Sequence, residues 1–130
     1  MTSEVDHKAK LKNISRLLAV IHKSLMESEI DSLEKVSGKS LPPVSRLQLL
    51  INDPSFAWLR ILSQLISAVD GVIFQKTPIT NEQMELLLKQ TTELLIDHKN
   101  PEFTDHFLPI CRTFPDLIIE YGRLKIALKS

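Results

Sequence analysis

The stretch 52–75, NDPSFAWLRILSQLISAVDGVIFQ, constrains this chain more than any other part of it. Asp53 stands where it can cap free backbone N–H groups, and Pro54 stands at a first helical position, where its missing N–H costs nothing. Beyond them, Arg60, Ser63, Gln64, Ser67, Asp70 and Gly71 fall three or four residues apart and form one narrow polar stripe. Trp58, Leu59, Leu62, Leu65, Ile66, Val69, Val72 and Ile73 cover the other sides. A helix with so thin a polar line needs neighbours on most of its surface. The expected fold is therefore all-α, a bundle of four main helices plus short ones around a central buried helix over 54–74.

The flanking segments supply those neighbours. Over 8–36, Leu11, Ile14, Leu18, Ile21 and Leu25 alternate spacings of three and four, with Leu17 widening the seam and Ile30 and Leu33 extending it. This long first helix should stop before Gly38, and Leu41-Pro42-Pro43 should form a stiff extended connection into a short helix over 44–51. Thr80 and Gln83 make a capping box, with Ile79 placed to pack on Met84 as a hydrophobic staple. The helix they open should run to about His98, burying Met84, Leu87, Leu88, Thr91, Leu94 and Leu95. Asn100-Pro101 starts a short helix bearing Phe103, Phe107 and Leu108, which Pro109 should kink or end. Pro115 opens the last helix, whose expected apolar face is Leu117, Ile118, Tyr121, Leu124, Ile126 and Leu128. Gly71, on the polar stripe of the central helix, is expected to admit close packing of another backbone.

At 130 residues the chain has the size of one domain, 1–130, able to bury a core without disulfides or a structural metal. Sixteen basic and sixteen acidic residues cancel, so no net field draws it to nucleic acid or an anionic membrane. Cys111 is the single cysteine, which excludes an internal disulfide and fits a reducing compartment. The polar start, 1–6, lacks the apolar core of a signal peptide, and a cytoplasmic location is expected. Stretch 54–74 approaches membrane-spanning length, but Arg60, Gln64 and Asp70 would be costly in lipid. No cofactor-binding motif is visible.

Residues 47–70, LQLLINDPSFAWLRILSQLISAVD, carry a further signal. Asp53, Pro54, Phe56, Ala57, Trp58, Leu59, Arg60, Leu62 and Ser63 reproduce a DPxFAWLRxLS signature, and in this the chain resembles a family of small bacterial helical proteins of uncharacterised function. The resemblance implies an all-helical bacterial cytosolic protein and carries over no catalytic residue.

Three sets of residues are candidates for function. Trp58 can anchor the core while Arg60, Ser63, Gln64, Ser67 and Asp70 either meet water or line a groove for a ligand or partner. Arg60 and Asp70 lie about 15 Å apart along such a helix and so need different partners. Asp97, His98, Glu102, Asp105 and His106 cluster around one turn and could hold a metal, although capping accounts for His98 and Glu102 equally well. Cys111 and His106 are not oriented together by their spacing, so a thiol nucleophile has little support.

The third set is the charge layout of the first helix. Lys8, Lys10, Lys12 and Arg16 load its start, while Glu27, Glu29, Asp31 and Glu34 load its end, opposite to what the helix dipole favours. Two copies packed antiparallel would set basic half against acidic half, giving a homodimer through helix one. The expected function is a non-enzymatic interaction or adaptor module, binding an unknown protein partner or itself. The alternative is a small-molecule- or metal-binding protein, or an enzyme, using the central stripe or the turn over 97–106.

Overall fold

Helix α1, Glu4–Ser37, is 34 residues long and carries the apolar seam read from its sequence. A computed structural model describes residues 4–130, which are 84% helical, with six helices and no strand among them. The first three residues of the polar start, 1–3, lie outside the described residues. After α1 come α2 (Pro43–Asn52), α3 (Ala57–Ile73), α4 (Asn81–Leu95), α5 (Pro101–Thr113) and α6 (Pro115–Lys129).

The ends of these helices follow their local chemistry. Gly38 takes φ 72° just after α1, a conformation natural to glycine at a helix C-terminus. The Asp53 carboxylate accepts hydrogen bonds from the Ser55 hydroxyl (2.6 Å) and backbone N–H (2.8 Å), opening a 3₁₀ turn, Pro54–Phe56, that leads into α3. Those two bonds hold the Asp53 carboxyl below the usual carboxylate range. Thr80 and Gln83 form the expected reciprocal box at α4, and Asn100 caps Phe103 N–H at α5 (3.1 Å).

The α1 seam packs inward on α3 and α6 of its own chain. Leu11, Leu18, Ile21 and Leu25 meet Leu59, Leu62 and Val69 in one core, all of them fully buried. Each such side chain contributes about 1.5–3 kcal/mol by leaving water. Pro54–Ile73 is the one described stretch long and apolar enough to cross a membrane, and its buried residues face this core. An aromatic run closes the other side: Trp58 to Phe103 (centroids 5.8 Å), Phe103 to Phe107 (5.2 Å) and Phe107 to Tyr121 (5.2 Å) join α3, α5 and α6. The Tyr121 hydroxyl then donates to the Leu95 carbonyl (2.5 Å), satisfying the end of α4.

Four local expectations need correction. Helix α5 continues through Pro109 to Thr113, so Pro109 does not end it. Pro109 and Asp105 are exposed, so the carbonyl robbed of its donor can meet water. Helix α4 ends at Leu95, short of His98, which takes φ 56°. Ile118 and Ile126 are exposed (49% and 71%), because Leu117, Leu124 and Ala127 already fill the inward face of α6. Gly71 has no neighbour within 4 Å of where a Cβ would stand, so no backbone packs closely there.

Candidate functional site

The central polar stripe divides according to what faces it. At its start, the Arg60 guanidinium donates to the carbonyls of Leu50 (3.0 Å) and Asp53 (3.2 Å), tying the end of α2 to α3. Farther along, Ser63 Oγ and His22 Nε2 share a hydrogen bond of 2.7 Å, and Asp70 accepts one from the Ser15 hydroxyl at 2.5 Å. Gln64 and Ser67 are exposed. Trp58 is buried (2% exposed), and its indole N–H donates to Glu29 (3.3 Å).

Ser15, His22 and Glu29 recur every seven residues on α1, beside the apolar seam, and meet Asp70, Ser63 and Trp58 in reverse order on α3. Seven residues advance a helix by about 10.5 Å and return the same face, so the antiparallel pair carries a polar ladder along one edge. Burial holds the His22 imidazole below its usual pKa, and the ladder contains it in its neutral form near neutral pH. The sequence marks neither Ser15 nor His22 as a site residue and marks Glu29 only within the charge layout of the first helix, although their seven-residue recurrence is visible in it.

Arg60, Ser63, Gln64 and Ser67 nevertheless share one open groove of about 410 Å³ with Leu50 and Ile51 of α2. Thus four of the six candidate residues on α3 do come together at a surface, while Trp58 and Asp70 face inward partners. Helix α2 forms the other wall, and none of its residues is buried. Val44 (69% exposed), Leu47 (57%) and Ile51 (58%) stand at i, i+3 and i+7, so its outward face is an apolar strip. Arg46, on the opposite side, donates to the Leu41 carbonyl (2.8 Å) and pairs with Glu34 of α1 (3.0 Å).

The turn over 97–106 scatters its five candidates. No three His, Cys, Asp or Glu side chains among the described residues gather as metal ligands. His106 lies flat on Trp58, with ring centroids 4.9 Å apart and planes within 7°. His98, in the left-handed region, lets the chain fold back so that Lys99 N–H reaches the Glu93 carbonyl (3.0 Å). Its ring Nδ1 is buried without a partner. Asp97, Glu102 and Asp105 are exposed. Cys111 is buried, and that burial pushes its thiol pKa up, away from the reactive thiolate.

The charges of α1 also separate into two sets. Glu29 and Glu34 bond inside the molecule, and Lys10 donates to the Ser130 carbonyl at the far end of the chain. Lys12, Arg16, Lys23, Glu27 and Asp31 point outward and are exposed. Comparison of the chain with family models, with curated proteins and with solved structures found no match.

Proposed function

We propose that this protein is a non-enzymatic interaction module whose docking surface is the corner formed by α2 and the start of α3. The observation that carries this reading is the apolar strip Val44, Leu47 and Ile51, set outward on a helix that buries none of its own residues. The strip spans about 10 Å, two turns of helix, and continues into the groove beside Arg60 and Gln64. That length and spacing suit the apolar face of an amphipathic helix from a protein partner. The polar groups best placed for chemistry support the same reading: Arg60 holds two carbonyls, Ser63 meets His22 and Asp70 meets Ser15. The DPxFAWLRxLS resemblance and the balanced charge support a bacterial cytosolic setting for such a module, without nucleic acid or membrane as its target.

The test is a photo-crosslinking residue placed in cells at Leu47, and separately at exposed Lys89 of α4 as a control position. The reading expects a discrete protein adduct at 47 that is absent at 89 and lost when Val44 is changed to Asp. Equal crosslinking at both positions, or a small molecule retained in native mass spectra and lost with Arg60→Ala, would overturn it. The latter result would favour a ligand in the α2–α3 groove.

A further inference from the structure

We infer that the outer face of α1 is a self-complementary surface on which a second copy of this chain docks antiparallel. Six residues form this face: Lys12, Arg16, Val20, Lys23, Glu27 and Asp31, all exposed. Their spacings are four, four, three, four and four, a palindrome, so a two-fold axis midway between Ile21 and His22 maps the set onto itself. The axis sets Lys12 opposite Asp31 and Arg16 opposite Glu27, and each pair occurs twice. At the centre the aliphatic stem of Lys23 lies against Val20, which is 37% exposed. Among these six residues no like-charged pair arises in this register. The stripe is about 28 Å long.

Two further observations favour a second copy as the occupant. The acidic and basic residues that remain on this face are those the molecule leaves largely outward. Lys12, Lys23 and Glu27 have no ion-pair partner among the described residues, while Arg16 meets only Asn13 (2.9 Å) and Asp31 only Lys35 (3.1 Å). The acidic end also opens into a cleft of about 400 Å³ shared with the start of α6, where Asp116 joins Glu27 and Asp31 over Phe114 and Leu117. Carboxylates around an apolar floor suit the long stem and charged head of a lysine, and Lys12 of the second copy arrives at that end. This surface lies on α1, apart from the α2 strip, and the inference stands independently of the function proposed above.

Sedimentation velocity of the full chain over a concentration series tests it. The expected result is a reversible dimer at low ionic strength that weakens as salt is added, since the pairs are exposed. Lys12→Glu with Arg16→Glu should weaken association by about tenfold or more, because attraction becomes repulsion at each position. Adding Glu27→Lys and Asp31→Lys to that same chain should restore it. All four side chains are exposed, and circular dichroism melting confirms that each variant folds. A chain that stays monomeric throughout the series overturns the inference, as does a dimer indifferent to the reversal or one abolished by Leu47→Asp instead. A monomer that binds anionic vesicles through its basic end also overturns it.

Discussion

The α1–α3 seam and the α2 corner are built from similar residues and put them to opposite use. In the seam, Leu18, Ile21, Leu59 and Leu62 are fully buried, and the polar groups at its edge are matched one to one across the two helices. At the corner, Leu47 and Ile51 face solvent, and the helix that bears them is fastened by Arg60 and Arg46, which hold backbone carbonyls. The seam gains its stability from apolar area removed from water, whereas α2 rests on the core only through half-buried Leu49 and Leu50, is held by a few charged donors, and leaves Val44, Leu47 and Ile51 exposed. The difference separates a part of the molecule that holds the fold from a part available to something else.

The strongest way to test that contrast is to cut into each region equally. Leu62→Ala should cost about 2–5 kcal/mol in urea unfolding, by lost transfer and an unfilled cavity. Leu47→Ala should stay within about 0.5 kcal/mol. Equal costs would show that α2 is as much a part of the core as α3. The ladder comes next: Asp70→Ala should cost about 1–2 kcal/mol. A double-mutant cycle with Ser15→Ala should recover much of that as coupling. Additive effects would mean that the pair contributes nothing specific. Arg60→Ala should cost about 1 kcal/mol overall while sharply lowering hydrogen-exchange protection in α2, with α3 protection following only the global change.

Smaller effects refine the same picture. Gly71→Ala should stabilise the protein by about 0.5–1 kcal/mol, since it removes a helix-interior glycine where a Cβ meets nothing. An Ala there that destabilises would reveal a neighbour packed on that face. His22 gives the ladder a pH dependence whose sign follows from its lowered pKa in the folded state. The unfolded chain takes up a proton first as pH falls below about 6.5, so stability is full above that pH and declines below it. His22→Gln should flatten this part of the melting-temperature profile, and an unchanged slope would place its origin elsewhere.

Much of the fold was readable because its signals are local. Asp53, Thr80, Asn100 and Pro115 act on backbone groups within three residues of themselves, and each marks a helix start. The period of Leu11, Ile14, Leu18, Ile21 and Leu25 likewise fixes an inward face without reference to any partner. Ile126 departs from the expected face because it lies two residues from Leu124, about 200° around the helix, and so points to solvent. The site was less readable because it depends on which helices meet. Ser63 and Asp70 look alike with Gln64 and Ser67 until α1 supplies hydrogen-bond partners to one pair and leaves the other to solvent. Arg60 could be placed on the stripe but not assigned to the carbonyls of α2, and His106 looks like a ligand until Trp58 lies beneath it. Nothing in the sequence announced that α2 would turn its apolar side outward.

Trp58 is the only tryptophan in the chain, and it stands where Glu29 of α1 and His106 of α5 converge on α3. Its emission therefore reports on the junction of α1, α3 and α5. Far-ultraviolet ellipticity, by contrast, counts the turns of α2 along with all the rest. A condition that lowers ellipticity by a helix's worth while leaving the tryptophan signal still would be observing a helix outside that junction, so the protein carries its own means of telling local fraying from global unfolding.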